Sequence, residues 1–316
     1  MLDLGQVLFW LVPVVPVIIL LFIIFIYLTT SDKYPIITVF DTEKTFQDEN
    51  DELQKFPSLE DQASLDLSVI VPAYNEEERL PKMLEECTEY LTKNEQKFEI
   101  VIVDDGSKDS TSSVALEWTK KLGSQKLRLL KLAKNLGKGG AVRRGMLVAR
   151  GQFLLFADAD GATKFSEISK LQSALSKIQN EDEFGIVCGS RAHLESDSIA
   201  SRSFFRTILM FGFHFCVRMF GCKSIQDTQC GFKLFTRKSA RILFKSCHIE
   251  RWAFDVELLK IAEMLKMPIS EVAVFWTEID GSKLNPVLAS IQMFKDLFLL
   301  WLRYATGAWK IQEKSE

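Results

Sequence analysis

Four short runs carry the residues best suited to chemistry, and each follows an apolar stretch. Pro72-Ala73-Tyr74-Asn75-Glu76-Glu77 offers backbone N–H groups and an aromatic ring. That suits a base or a ribose, with a plain helix cap at Asn75 as the competing account. Val103-Asp104-Asp105-Gly106-Ser107 sets two carboxylates side by side. Adjacent acids are costly without donors or a cation nearby, and they could accept from a uracil N–H or ribose hydroxyls. A self-contained Asx turn explains the same residues equally well. Lys134 to Ala141, read Lys-Asn-Leu-Gly-Lys-Gly-Gly-Ala, brings glycines and Lys138 to the start of a helix, where a backbone can approach phosphates. Lys138 is followed by Gly139, so this is not a Walker A loop, and P-loop ATPase or kinase chemistry is disfavoured. Asp158-Ala159-Asp160 places two carboxylates two positions apart, able to share a hard cation with a diphosphate.

The elements that must hold these runs alternate in kind. Apolar strands are expected at Leu67–Val71, Phe98–Val103, Leu127–Leu132 and Phe153–Ala157, with helices at Glu76–Leu91, Thr111–Leu122 and Gly139–Ala149. Such alternation means βαβ units on a mostly parallel sheet with flanking helices, a Rossmann-like α/β class. Sheets of that kind bind ligands at the carboxyl ends of their strands. All four polar runs fall there, which is the strongest pointer to a single site.

Composition bounds the rest. The 316 residues are 47% apolar and 26% charged, so neither a disordered nor a fibrous chain is in question. Residues 31–66 hold ten acids and three lysines, so an overall charge of −3 leaves 67–316 net positive. The excess is too dispersed for a nucleic-acid binder and fits an anionic substrate or lipid surface. The six cysteines form no C-x-x-C pair and read as reduced, buried thiols. Leu4 to Ser31 carries no charge, and Val7–Leu28 is almost wholly apolar. As a helix it would reach about 33 Å, enough for a bilayer core. A cleaved signal peptide fits poorly, since no basic region precedes the run and no small-residue cleavage site follows it.

The second half reads as membrane-facing. Arg202, Arg206, His214 and Arg218 recur at helical spacing along a run rich in Phe. A core helix with snorkelling arginines is the alternative. Residues 284–304 form a second greasy segment, and Trp301, Tyr304 and Trp309 resemble interfacial aromatics, so an interfacial helix is expected, with a core helix as the rival and a second membrane span disfavoured. The expected organisation is an anchor at 1–31, an acidic linker or loose collar at 32–66, and an α/β catalytic domain at 67–283. That domain includes an interfacial helix near 202–220, and interfacial helices and a tail follow at 284–316.

The ordered motifs carry a family signature. Asp-Gly-Ala-Thr-Lys-Phe (160–165), Gly-Ser-Arg-Ala-His-Leu (189–194) and Asp-Thr-Gln-Cys-Gly-Phe-Lys (227–233) are joined by two further runs. These are Arg-Trp-Ala-Phe-Asp-Val-Glu-Leu-Leu (251–259) and Trp-Thr-Glu-Ile-Asp-Gly-Ser-Lys-Leu (276–284). Together they resemble family 2 glycosyltransferases of the GT-A fold, in particular those that glucosylate dolichyl phosphate. The likeness runs from about Leu67 to Trp309. It implies UDP-glucose as donor, dolichyl phosphate as acceptor, inversion at the sugar, and Mg²⁺ or Mn²⁺ as cofactor. It further implies an endoplasmic reticulum membrane protein with its catalytic domain facing the cytosol, in the assembly line for protein N-glycosylation. A homo-oligomer is compatible with it.

Roles follow from the resemblance, motif by motif. Pro72, Tyr74, Glu76, Asp104 and Asp105 would hold uridine, with Lys138 near the nucleotide. Asp158 would meet ribose or sugar, and Asp160, with Asp158, the metal. Lys283 would steady the diphosphate. Arg191, Arg202 and Arg206 would bind the acceptor phosphate. Asp227, Gln229 and an Asp255/Glu257 pair would shape the sugar and acceptor pocket. Rival readings are a GDP-mannose-dependent dolichyl-phosphate mannosyltransferase and a non-catalytic nucleotide-sugar-binding scaffold. A processive polysaccharide synthase is disfavoured because a Q-x-x-R-W motif is not evident at Arg251-Trp252.

Overall fold

The computed structural model describes residues 4–30, 32–194, 212, 217–279 and 286–312. In chain order they form α1 (Leu4–Thr29), β1 (Thr45–Gln47), β2 (Leu53–Lys55), β3 (Leu65–Ala73), α2 (Leu80–Lys93), β4 (Phe98–Asp104) and α3 (Thr111–Leu122). Then come β5 (Leu127–Lys131), α4 (Lys138–Leu147), β6 (Gly151–Ala157), α5 (Ile168–Ile178), β7 (Ile186–Ser190) and β8 (Phe232–Thr236). The chain continues through α6 (Arg237–Ser246), α7 (Phe254–Met264), β9 (Ile269–Ala273) and α8 (Pro286–Ala305).

A seven-stranded sheet in the order β5-β4-β3-β6-β8-β7-β9 forms the centre. β5, β4, β3 and β6 run parallel, β8 is antiparallel to both neighbours, and β9 is parallel to β7. Apart from the edge strand β9, the strands of this sheet are largely buried on both faces and so read as apolar runs. Ile70, Val103, Leu154 and Phe156 pack with residues of α4, α6, α7 and α8. On the other face Val69, Val71, Ile102 and Leu155 pack with α2 and α5. The core is therefore a sheet between two helical layers.

Three expectations change. The acidic segment is not a loose collar. β1 and β2 pair as an antiparallel hairpin, and Phe46 and Phe56 enclose the guanidinium of Arg128 at 5.3 and 5.4 Å. That guanidinium is 2% exposed and ion-pairs with the fully buried Glu99, which Arg150 also meets. A cation in an apolar wall needs both its counter-ion and the ring faces, which is why this segment packs down.

The second change is at the start of α2. The helix begins at Leu80, not Glu76, and Asn75 does not cap it. Asn75 adopts φ 56, its backbone N–H donates to Ser107 Oγ (2.9 Å), and its side-chain oxygen accepts from Lys108 N (2.8 Å). Glu76 N donates to Thr111 Oγ1 at 2.8 Å. The loops after β3 and β4 are thus zipped together.

The third change is in the C-terminal segment. Tyr304 and Trp309 are buried, because the Tyr304 hydroxyl donates to Glu257 (2.9 Å) and Trp309 stacks on His248 at 4.1 Å. Only Trp301 of the three aromatics is exposed. The helix expected near 202–220 lies almost wholly outside the described residues. The side chains of α1 are described from Pro13 to Leu28, nearly all outward-facing. Among the described residues no helix is long and apolar enough to cross a membrane.

Candidate active site

The ends of β3, β4 and β6, with the start of α4, bring the four motif runs to one edge of the sheet. Asp158 leaves β6 and Lys138 opens α4, and their side chains form an ion pair at 2.6 Å. Asp158 N donates to the Gly231 carbonyl just before β8. A Cβ on Gly231 would sit 1.9 Å from Asp158 Oδ2, so only glycine lets the strand pass under that carboxylate. Asp160 turns back to accept from Ala162 N at 2.9 Å. Burial, and then the charge of Asp158, raise the Asp160 carboxyl above its ordinary value. Burial also raises Glu76, against the pull of its 2.6 Å ion pair with Arg79.

The adjacent acids at the end of β4 are bonded to the neighbouring loops. Asp104 is fully buried and accepts from Ser107 N (2.8 Å) and from the Ser112 hydroxyl. Asp105 accepts from Leu136 N (2.7 Å) and Gly137 N (2.8 Å) and so ties the β5–α4 loop to β4. Burial pushes its carboxyl up to about 6 despite those two donors. Tyr74, by contrast, is 46% exposed beside them, and Pro72 continues β3 behind it.

Two strands across from Asp158, about 10 Å by the sheet spacing, Arg191 follows β7. Its Nε and Nη2 donate to the Asp227 carboxylate at 2.7 and 2.8 Å. Its guanidinium also lies 5.4 Å from the Trp276 ring centroid. Burial alone would raise the Asp227 carboxyl, but the Arg191 hydrogen bonds and charge outweigh it and hold it low. Gln229 lies next in this loop, and its Nε2 is buried with no partner among the described residues.

The expected Asp255/Glu257 pair is split. Residues two apart on a helix point to opposite sides. Asp255 turns toward the site and meets the buried Lys233 at 2.6 Å. Glu257 turns to the far side, where it accepts from His248 N, Ile249 N and Tyr304 Oη. Glu257 is therefore a structural hub and not a pocket residue. Lys233 is the buried neighbour that sequence reasoning missed, although a lysine inside the run Phe232–Thr236 already demanded a buried anion. Arg202, Arg206 and Lys283 lie outside the described residues.

Among the described residues no three His, Cys, Asp or Glu side chains converge as a metal cluster. Asp158 and Asp160 nevertheless suit a hard divalent cation. Their donors are carboxylate oxygens two positions apart at a strand end, the donor type that a hard ion prefers.

Residues 68–244, more than half the chain, match the family described as Glycosyl transferase family 2. The chain belongs to that family. Within family 2 it is 60% identical over 291 residues to the dolichyl-phosphate β-glucosyltransferase of Drosophila melanogaster, covering 89% of this chain and 88% of that one. The Homo sapiens enzyme of the same name is 52% identical, with 90% of each chain covered. That of Saccharomyces cerevisiae is 43% identical, with 81% and 80% covered. Among solved structures, glucosyl-3-phosphoglycerate synthase from Mycobacterium tuberculosis, in complex with Mn²⁺, UDP-glucose and phosphoglyceric acid, matches with TM-score 0.52. It shares 15% identity and covers 79% of this chain and 82% of that one, a likeness of GT-A-like fold.

Proposed function

We propose that this family 2 glycosyltransferase moves glucose from UDP-glucose to dolichyl phosphate with inversion at the sugar carbon. The observation that supports this reading is one sheet edge holding two charged groups two strands apart. One is the Asp158–Lys138 pair with Asp160, and the other is Arg191 braced by Asp227. High identity to dolichyl-phosphate β-glucosyltransferases over most of the chain supports the choice of substrates.

In this reading Tyr74 and the zipped loops behind it receive uridine, with Asp104 and Asp105 holding those loops in shape. Lys138 and Asp160 face the diphosphate. A divalent cation on Asp158 and Asp160, Mg²⁺ or Mn²⁺, would neutralise charge on the departing phosphates. Arg191 meets the acceptor phosphate, together with Arg202 and Arg206, while Lys283 serves the diphosphate. A phosphate monoester has its second pKa near ~6, so the attacking oxygen is already anionic at neutral pH. The protein then needs no strong general base, and positioning and charge neutralisation carry the reaction. We place the enzyme in the endoplasmic reticulum membrane, held by α1, with the catalytic domain in the cytosol, where its product would feed lipid-linked oligosaccharide assembly.

The test is label transfer from UDP-glucose to a short polyprenyl phosphate in detergent with Mg²⁺, with GDP-mannose run in parallel. Label entering the lipid phase from UDP-glucose alone, and lost with EDTA, is the expected result. Transfer from GDP-mannose instead would overturn the donor. UDP binding without transfer from either would favour a scaffold.

A further inference from the structure

The reach of Arg191 toward its substrate is set from a strand that carries no motif residue of its own. β9 is the edge strand, paired in parallel with β7, with Cys188 opposite Glu271 and Ser190 opposite Ala273. Glu271 is a carboxylate on this strand with both oxygens committed. Oε2 accepts from Gln226 N at 2.9 Å and Oε1 accepts from Asp227 N at 2.8 Å. The two backbone donors are consecutive, so the carboxylate grips the 226–227 peptide in two places and fixes its orientation. Asp227, held there, turns its side chain to Arg191 in three bonds. Oδ2 accepts from Arg191 N at 2.8 Å and from Nε at 2.7 Å, and Oδ1 accepts from Nη2 at 2.8 Å.

This leaves the guanidinium little freedom. Asp227 holds one edge of the fork, and the indole of Trp276, on the segment that follows β9, lies against it at 5.4 Å. That same segment is bonded to the loop after Asp160: Thr277 N donates to the Ala162 carbonyl at 2.9 Å and Lys164 N to the Phe275 carbonyl at 3.2 Å. Among the described residues Nη1 makes no hydrogen bond, and the Arg191 side chain keeps 31% of its surface open. The open edge is the one a phosphate could take.

We infer that Glu271 is a positioning residue for the transfer reaction: by clamping the 226–227 peptide it sets Asp227, and through Asp227 it aims Arg191 at the acceptor phosphate. The inference rests on the proposed role of Arg191. Glutamine at 271 keeps the size but can accept through only one atom, and its amide N–H₂ would oppose a backbone N–H. The 226–227 peptide would shift, and displacements of about 1 Å at a positioning group cost up to 10²-fold.

The experiment is a double-mutant cycle in the full-length enzyme in detergent, with UDP-glucose and a short polyprenyl phosphate as substrates. Glu271→Gln is expected to raise KM for the polyprenyl phosphate about tenfold while KM for UDP-glucose stays within about twofold. On an Arg191→Ala background the same substitution should cost almost nothing further, because the residue it aims is gone. Equal losses in both backgrounds, or equal rises in both KM values, would overturn the inference and leave Glu271 a plain structural residue. Failure of the Arg191 reading looks different: Arg191→Ala alone would leave the acceptor KM unchanged, and any coupling to Glu271 would appear in another parameter. Glu271→Asp, which retains both acceptor oxygens on a shorter arm, enters the same cycle if the glutamine variant does not fold. An intermediate acceptor KM with the same non-additivity supports the inference there, and additivity overturns it.

Discussion

At the residue scale the site depends on what is missing as much as on what is present. Gly231 has no side chain because the Asp158 carboxylate occupies that space: a Cβ would meet Oδ2 at 1.9 Å and the carboxyl carbon at 2.2 Å. β8 is hydrogen-bonded on both sides and holds the backbone in place, so the Asp158 side chain is what must move. Gly231→Ala must therefore push Asp158 off Lys138. We expect transfer to fall at least about 10²-fold, while the purified variant keeps its circular dichroism spectrum and melts within a few degrees of the parent. Near-normal turnover would show that the Asp158–Lys138 geometry is dispensable. Lys233 makes the complementary case, an ammonium 1% exposed whose partners are the Asp255 carboxylate and the Cys230 carbonyl, both at 2.6 Å. Its third side lies over the Phe156 ring, 5.1 Å from the centroid.

At the element scale, Glu257 separates catalysis from construction. This one carboxylate takes donors from the turn after α6 (His248 N at 3.0 Å and Ile249 N at 2.6 Å) and from Tyr304 of α8 at 2.9 Å. The same turn supplies the Glu250 carbonyl that receives Gly140 N from the first turn of α4. Glu257→Gln leaves at least one donor unanswered in a fully buried place, at a cost of roughly 1–3 kcal/mol. The expected outcome is a melting temperature lower by several degrees with both KM values unchanged. A rise in either KM at unchanged stability would return Glu257 to the pocket. The spacing of Asp255 and Glu257 already implied opposite helix faces, so this separation was legible. So were the strand–helix alternation, the bounds of α3 and the convergence of four polar runs, because each rests on local apolar periodicity. What stayed hidden depends on contacts far apart in the chain: Asn75 answering Lys108 instead of capping α2, and Arg128 drawing the acidic hairpin down between Phe46 and Phe56. Two three-residue strands are too short to show a period at all.

At the scale of the whole molecule, the segments just past the C-terminal ends of α1 and α8 are joined. Lys310 N, just past α8, donates to the carbonyl of Lys33, just past α1, at 2.8 Å. One side of α8 is spent on the core through Leu297, Leu300 and Tyr304. The other side shows Phe294 at 51% and Trp301 at 39% exposure, and Phe220 packs edge-on against Phe298 beside them. Two exposed aromatics beside Lys295, next to the exit of the proposed anchor, fit a second contact with a bilayer. Burying one such aromatic in the interface is worth roughly 1.5–3 kcal/mol, enough for measurable but reversible attachment. A chain lacking residues 1–31 keeps both partners of the Lys33–Lys310 bond, and we expect it to float with anionic liposomes and to detach in high salt. Adding Phe294→Glu and Trp301→Glu to that shortened chain should abolish flotation, because each new carboxylate would have to be desolvated against like charge. Were the shortened chain to stay at the bottom of the gradient, α1 would be the sole attachment, and the exposed face of α8 would need another partner to explain its aromatics.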